Sequence, residues 1–178
     1  GDPNFKPKAP GMKYRHYAPK AKMYLAEGLD NGMAAALLAV RAAGKGLKVG
    51  LLCSEETDRF YYTALLGSQA RKCVEINGVD GDTIATAESI AECIDVNNWG
   101  FEKEELSEKL FYLLRDFDRT NPDVIIAEAV DEEDLGLAIM NRMRKAAGYQ
   151  EIVVTINAEG TSFAMKNGGE LPEFLEEK

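Results

Sequence analysis

The chain has 178 residues, of which 46% are hydrophobic, and a formal net charge of −9. This length suits one domain with short extensions, and we find neither a run of about 18 apolar residues nor a leader-like start, so we expect no membrane span and no secretion signal. The three cysteines (Cys53, Cys73 and Cys93) lack C-x-x-C spacing and have no neighbouring histidine, which predicts free thiols in the reducing cytoplasm and no structural metal site.

Charge is distributed unevenly along the chain. Residues 1–22 carry six basic side chains and one acid, a net charge of +5, whereas the remaining 156 residues carry 15 basic and 29 acidic groups, a net charge of −14. The acidic body repels nucleic acid at long range, which disfavours direct tRNA binding. The basic stretch can dock on this body or reach for another anion.

Residues 1–21 hold four of the six prolines. Proline removes backbone donors and fixes φ, so this stretch predicts an extended arm rather than a helix or a central strand. Its segment PGMKYRHYAP (10–19) can bind phosphate oxygens through its cations and pack its rings on a base or ribose. The alternative is a strap that packs its tyrosines on the domain and leaves its cations in water. The residues concerned are Lys13, Tyr14, Arg15, His16 and Tyr17.

From Lys22 onward the sequence predicts strands alternating with helices. A strand at 22–27, an alanine-rich helix at 32–43 and a continuously apolar strand at 48–53 form a β-α-β unit. Signals between 55 and 98 are weaker. They indicate a helix at 58–69, a strand at 73–76, a turn-rich loop at 77–82 and a helix at 86–94.

Clear periodicity returns in the last third of the chain, where the leucines of the next helix fall on one face. The elements predicted there are a helix at 103–118, a strand at 123–128, a helix that runs to about Ala147, a strand at 151–156 and a last turn at 171–175. The alternation implies an α/β protein with a Rossmann-like three-layer fold and a mostly parallel sheet. We divide the chain into an arm at 1–21, an α/β domain at 22–156 and a C-terminal extension at 157–178.

Polar positions outside the arm are less specific. Asn141 and Arg142 lie on an otherwise apolar helix and form a second candidate polar site. Otherwise they belong to a solvated helix face, where Arg142 can pair with Glu128 or with an acid of the run 131–134. That run lacks the ligand spacing of a calcium loop and is more typical of a helix N-terminus.

Motifs for nucleotide binding or acyl transfer are missing. The segment 28–32 (GLDNG) does not follow G-x-G-x-x-G, and we find neither a P-loop nor a nucleophile elbow. Residues 54–57 nevertheless follow a strand, at the edge where open α/β sheets usually bind ligands. A free-standing nucleotide-binding module therefore stays open as an alternative, as does a protein-interaction module.

Two blocks of the sequence carry a family resemblance. PGMKYRHYAP (10–19) resembles the signature linker of the two-domain threonylcarbamoyl-AMP synthases. The block 110–147, which contains LFYLLRDFD, DVIIAE and LGLAIMNRMRKAA, is similar to the smaller α/β domain that follows this linker. The resemblance covers roughly 8–150 and is weak across 57–100.

The resemblance implies an activity for the parent enzyme. Such enzymes join L-threonine, bicarbonate and ATP into threonylcarbamoyl-AMP and pyrophosphate, for the N6-threonylcarbamoyladenosine modification of tRNA. ATP and Mg²⁺ act in the YrdC-like catalytic domain, the partner expected in cis and absent from this chain. We therefore expect no cofactor and no catalytic residue here, and the chain alone should be an inactive regulatory domain. The resemblance carries over only the linker residues, Lys13 to Tyr17, as a gate over the nucleotide cavity.

Overall fold

The computed structural model describes residues 17–68 and 81–176, with the backbone alone for 81–86. Strands and helices alternate along this part of the chain, as expected for an α/β protein. The strands are β1 (Lys22–Gly28), β2 (Val49–Cys53), β3 (Ile94–Asn98), β4 (Val124–Glu128), β5 (Glu151–Asn157) and β6 (Gly160–Met165). The helices are α1 (Asn31–Gly44), α2 (55–68, π-helical over Thr57–Tyr62), α3 (Gly81–Glu92), α4 (Lys103–Thr120) and α5 (Leu135–Ala146).

The strands form one sheet in the order β3-β2-β4-β1-β5-β6. The first five are parallel, and β6 runs antiparallel to β5. This mostly parallel sheet confirms the predicted fold class. Its order differs from the usual Rossmann order, because β4 lies between β2 and β1. The chain leaves β1 through α1 on one face and β4 through α5 on the other, so the loops after these neighbouring strands diverge.

Two hydrophobic cores cover the two faces of the sheet. On one face α1, which is rich in alanine, packs closely against β1, β2 and β4, together with side chains of α2 and α3. On the other face α4 and α5 pack on the same strands. The four leucines of α4, which were predicted to share one face, are all buried there together with Phe117. The Phe117 ring lies on Gly50, where a Cβ would approach within 2.7 Å of it.

The helix ends follow from local sequence. A capping box formed by Glu102 and Glu105 begins α4. The helix ends at Asn121, which adopts a left-handed conformation with φ 49° before Pro122. Pro122 cannot continue the helix, so the Asn-Pro pair marks its end.

Two edge strands depart from the sequence predictions. The helix expected at 86–94 is wrong at both ends, because α3 begins at Gly81, inside the loop expected at 77–82, and ends at Glu92, before β3 begins at Ile94. Strand β6 was not predicted, and its pairing with β5 extends the sheet beyond residue 156, where we expected the extension to begin. Each lies at an outer position of the sheet, where half-exposed strands lack a continuous apolar run. The strand expected at 73–76 lies outside the described residues.

Candidate functional site

The described residues that precede β1 begin with a short turn, 17–20, which lies on α4. The Tyr17 hydroxyl donates a hydrogen bond of 2.8 Å to Asp118 Oδ2, and the backbone N–H of Lys20 donates one of 3.3 Å to Asp118 Oδ1. The Tyr17 ring meets the Phe111 ring edge-on, with centroids 5.0 Å apart and an interplanar angle of 71°. One carboxylate and one aromatic ring thus fix both the backbone and the side chain of this turn.

Partial burial and the neighbouring carboxylate keep Tyr17 protonated. Desolvation, followed by the hydrogen bond to Asp118 and the charge of Asp118, raises the pKa of Tyr17 to about 12, whereas Arg115 acts in the opposite direction. At neutral pH the hydroxyl is therefore a neutral donor. Tyr17 therefore binds α4 through a hydrogen bond and through ring packing. As a protonated phenol it cannot act as a general base.

Of the predicted gate residues, only Tyr17 falls within the described part of the chain. The other four, Lys13, Tyr14, Arg15 and His16, lie outside the described residues. Their gating role stays a prediction. The contacts of Tyr17 with α4 agree with the alternative in which the tyrosines of this segment pack on the domain.

A groove opens beside this turn at the amino edge of the sheet, where the parallel strands begin. It has a volume of about 610 Å³, and buried residues of β1 and of the end of α5 are among those that line it. Its rim carries three exposed lysines, Lys20, Lys22 and Lys145. The rim of this groove is therefore basic, although residues 23–178 carry a net charge of −14.

The carboxyl edge, where the same strands end, is closed by its own side chains. Thr57 Oγ1 donates a hydrogen bond of 2.5 Å to Glu128 Oε1, and Ser54 donates to the same oxygen from its backbone N–H at 3.1 Å and from its hydroxyl at 3.2 Å. Ser54 and Thr57 are buried. The hydroxyls that we considered as ligand groups at 54–57 therefore bind a carboxylate of this domain.

Burial dominates the electrostatics of this cluster. Desolvation raises the pKa of Glu128, and the charge of Asp30 acts in the same direction, while hydrogen bonds from Thr57 and Ser54 oppose the rise. A carboxylate in this setting is stabilised mainly by neutral donors. An added phosphate would meet the acids Asp30 and Glu128 here.

The N-terminus of α1 is also occupied. The Asp30 side chain accepts a hydrogen bond from the Met33 N–H at 3.1 Å, and the Tyr61 hydroxyl donates to the other Asp30 oxygen at 2.5 Å. A Cβ on Gly32 would lie 2.2 Å from Thr57 Oγ1. The helix end that binds pyrophosphate in dinucleotide folds is here capped by a carboxylate and covered by α2.

The second candidate polar site has no defined geometry. Asn141 and Arg142 are both exposed on α5, and within the described ranges neither shows a hydrogen bond or ion pair. The pairing considered for Arg142 is instead made by Arg144, which binds Glu132 and, at 3.1 Å, Glu151. The site at 141–142 stays a prediction without a structural partner.

The described residues show neither a membrane-spanning helix nor a metal site. In 17–68 and 81–176, no helix is long and apolar enough to cross a bilayer, and no three His, Cys, Asp or Glu side chains converge as a metal site would require. Cys53 and Cys93 are free thiols. Burial raises the pKa of Cys53, with smaller contributions from nearby acids, so its thiol is unreactive at neutral pH.

Sequence reasoning missed the partners of the arm. Asp118 and Phe111 belong to LFYLLRDFD, the block that carried the family resemblance, but nothing in its periodicity indicated a contact with Tyr17. The sequence did show that Phe111 and Asp118 do not lie on the face of α4 that carries the leucines. The carboxylate of Glu128 ends the apolar strand DVIIAE, which could have marked it as a group held at the carboxyl edge.

Comparison with known proteins gives consistent results. Residues 2–148 match the family described as threonylcarbamoyl-AMP synthase, C-terminal domain. Proteins named threonylcarbamoyl-AMP synthase from Pyrococcus abyssi and Bacillus subtilis are 37% and 32% identical to this chain, over 83% and 85% of its length. The matches cover only 34% and 35% of those proteins, so the chain spans about a third of the relatives.

Solved structures agree with this result. The crystal structure of P. abyssi Sua5 complexed with L-threonine superposes with a TM-score of 0.52 at 36% identity, over 82% of this chain and 34% of that one. A double-alanine variant of the same protein, with an adjacent histidine and tyrosine replaced, gives a TM-score of 0.52 at 34% identity, over 84% and 34%. The chain belongs to the family of threonylcarbamoyl-AMP synthase C-terminal domains.

Proposed function

We propose that this chain is the regulatory C-terminal domain of a two-domain L-threonylcarbamoyladenylate synthase, and that its arm gates the nucleotide site of the catalytic domain. The observation that carries the proposal is the match of residues 2–148 to the C-terminal domain, in a chain that spans about a third of relatives named for the synthase. The reaction would convert L-threonine, bicarbonate and Mg²⁺-bound ATP to threonylcarbamoyl-AMP and pyrophosphate. The product would serve tRNA modification.

The gating role is supported by charge and by the way the arm is attached. Residues 1–22 carry a net charge of +5, which suits closure over a triphosphate. A cationic, proline-stiffened arm can exclude water when it closes and release product when it opens. Its last aromatic residue, Tyr17, is held by contacts on one surface of α4, which is compatible with release.

Inactivity of the chain alone follows from the same proposal. A catalytic site needs a positioned set of groups around the reacting atoms, and an arm by itself supplies none. The carboxyl edge is an acidic cluster with its hydroxyls already engaged, so it does not favour ATP binding. Calorimetry of this chain with millimolar ATP or AMP should show no binding heat; a saturable signal would favour the nucleotide-module alternative.

The proposal is tested by assaying this chain and its full-length parent side by side. Pyrophosphate release that depends on threonine and bicarbonate should appear only with the full-length protein. In that protein, Arg15→Ala and His16→Ala should each lower kcat/KM by about tenfold or more, since contacts to developing charge are typically worth that much.

Arg59→Ala is the matched control. Arg59 is exposed at the carboxyl edge and pairs only with Glu55 among the described residues. Its removal should leave the rate unchanged. Unchanged rates in both Arg15→Ala and His16→Ala would contradict the gating role. A full-length parent without activity would contradict the proposed synthase function.

A further inference from the structure

Exposed apolar side chains concentrate at the carboxyl edge of the sheet. Among the described residues eight large apolar side chains are exposed, and six of them lie at this edge. Each of the five parallel strands contributes one that is at least 38% exposed, near its end or in the segment that follows it. In the order of the strands across the sheet these five side chains, which we call the edge cluster, are Phe101, Phe60, Leu135, Leu29 and Ile156. A single exposed leucine is ordinary, whereas several at one edge are typical of a surface that a partner covers.

The loops that carry the edge cluster are bound to one another. The Asn31 side-chain amide donates a hydrogen bond of 3.1 Å to the Ala129 carbonyl, which joins the loop after β1 to the loop after β4. Three side-chain contacts join other loops of this edge: Tyr61 to Asp30 at 2.5 Å, Asn98 to Glu55 at 2.5 Å and Lys103 to Asp131 at 2.8 Å. Because these contacts already fix the loops, a partner that docks here loses little affinity to the ordering of loops.

The edge cluster lies in acidic surroundings. The loops after β1 to β4, with the first residues of the helix that follows each, hold eleven acids and two bases. Their net charge of −9 equals the charge of the whole chain. The segments counted are 29–33, 54–60, 99–105 and 129–136. Such a charge repels nucleic acid and anionic membranes and attracts a cationic partner.

Several of these acids are available to a partner. Within the described ranges four are exposed and make no ion pair, namely Glu56, Glu104, Glu133 and Asp134. They surround the apolar side chains with carboxylates that still face water. The partner that this surface fits therefore presents apolar side chains flanked by Lys or Arg.

The dimensions of the edge favour a helix as the docking element. The five parallel strands end here together, so the edge presents loops and helix starts rather than a free strand that could pair with a peptide. Strands about 4.8 Å apart give the edge a length of roughly 20 Å. An α-helix of about 14 residues has the same length.

We propose that the carboxyl edge docks a protein partner through an amphipathic helix, whose apolar stripe packs on the edge cluster and whose Lys and Arg side chains meet the surrounding acids. One helix supplies both kinds of group. This docking surface is independent of the proposed function, because every residue in it belongs to the described part of this chain.

The probe that tests this proposal is a synthetic peptide of about 14 residues, with leucines along one helical face and lysines elsewhere. Added to this chain, it should change nuclear magnetic resonance shifts mainly in 29–33, 58–62, 100–104 and 133–137. A peptide of the same composition in scrambled order should bind at least about tenfold more weakly, because its leucines do not share a face. A peptide with glutamate in place of lysine should not bind, because the edge repels it.

Leu29→Ser and Phe101→Ser test the edge cluster itself. Both side chains are mostly exposed, so neither change should disturb the fold. Each should raise the Kd of the amphipathic peptide by about tenfold, as expected when one apolar side chain no longer becomes buried in a contact. Tyr112→Ser is the matched control, because Tyr112 is exposed to the same degree as Phe101 but lies in the middle of α4. The Kd of this control should equal that of the parent.

The proposal would be overturned by equal affinity for the ordered and the scrambled peptide, by shift changes centred on another surface, or by parent-like Kd values in both Leu29→Ser and Phe101→Ser. Sedimentation with phosphatidylcholine vesicles is a second measurement, and no binding is expected. Vesicle binding that Leu29→Ser abolishes would assign the edge to a lipid surface and would also overturn the proposal.

Discussion

The carboxyl and amino edges of the sheet differ in charge and in how they are closed. At the carboxyl edge Glu128 accepts hydrogen bonds from Ser54 and Thr57, and Asp30 caps α1 and binds Tyr61. At the amino edge a groove of about 610 Å³ stays open between lysines beside the arm. Open α/β sheets usually bind ligands at the carboxyl edge. Here the polar side chains at that edge bind one another, and three exposed lysines line the groove on the opposite side.

The comparison shows why the fold alone does not indicate the function. The same layers that form a nucleotide site in other proteins here carry carboxylates where phosphates would bind. Residues 17–20 contact α4 next to an open groove. Changes at the carboxyl edge should therefore affect stability, and changes near the arm should affect its position.

The largest loss of stability is expected when the closed edge is overpacked. Gly32→Ala places a Cβ 2.2 Å from Thr57 Oγ1 and 3.1 Å from the Tyr61 ring, so α2 must move away from α1. The free energy of unfolding, measured by urea denaturation, should fall by about 2–3 kcal/mol. In the control Gly44→Ala, the new Cβ meets nothing within 4 Å, and stability should rise by about 0.5 kcal/mol. Similar free energies of unfolding for the two variants would show that α2 can move away from α1 at little cost.

Removal of the central acceptor should have the next largest effect. Glu128→Ala leaves the buried hydroxyls of Ser54 and Thr57 without their carboxylate, at a cost of about 2 kcal/mol in the free energy of unfolding. Glu128→Gln keeps an acceptor oxygen and should be at least as stable as the parent at pH 7. A larger loss in Glu128→Gln than in Glu128→Ala would contradict the description of this edge.

The same carboxyl predicts a pH dependence. Because burial raises its pKa in the folded state, the folded protein binds more protons than the unfolded chain from about pH 4.5 upward, until the folded-state pKa is passed. Within this window stability falls as pH rises, and below it Glu128 contributes no slope. The difference in unfolding free energy between Glu128→Gln and the parent should therefore grow with pH across the window and then level off. A flat difference would show that Glu128 keeps its ordinary pKa.

At the amino edge the loss of an acceptor should cost less. Asp118→Ala removes two hydrogen bonds, but they hold only the turn at 17–20 on the surface of α4. We expect a fall in unfolding free energy of about 1 kcal/mol or less, because the released groups reach water. A loss as large as that of Glu128→Ala would mean that the arm is part of the folded core.

The smallest effect should come from the apolar side chain at the tip of the carboxyl edge. Leu29 is fully exposed in the turn between β1 and α1. Leu29→Ser should change the free energy of unfolding by less than about 0.5 kcal/mol. A clear loss of stability in Leu29→Ser would mean that Leu29 packs against other residues and is not fully exposed.

The sequence predicted the elements that are buried on both faces or strongly periodic. Strands β1, β2, β4 and β5 have apolar runs, and α4 has a leucine face ended by Asn121-Pro122. The outer strands β3 and β6 carry weak patterns, because each has a single neighbour and half-exposed side chains. The arm, expected from its prolines, its cations and its rings, stays a prediction.

What the sequence by itself determined is therefore the set of local preferences: an acidic α/β domain with a basic, tyrosine-bearing arm and a family signature in two blocks. Only the tertiary structure decided which polar groups meet. Tyr17 and Asp118 are 101 residues apart in the chain, and Thr57 and Glu128 are 71 apart. Such contacts depend on strand order and on where each loop leaves the sheet. Neither is determined by the residues next to it in the sequence.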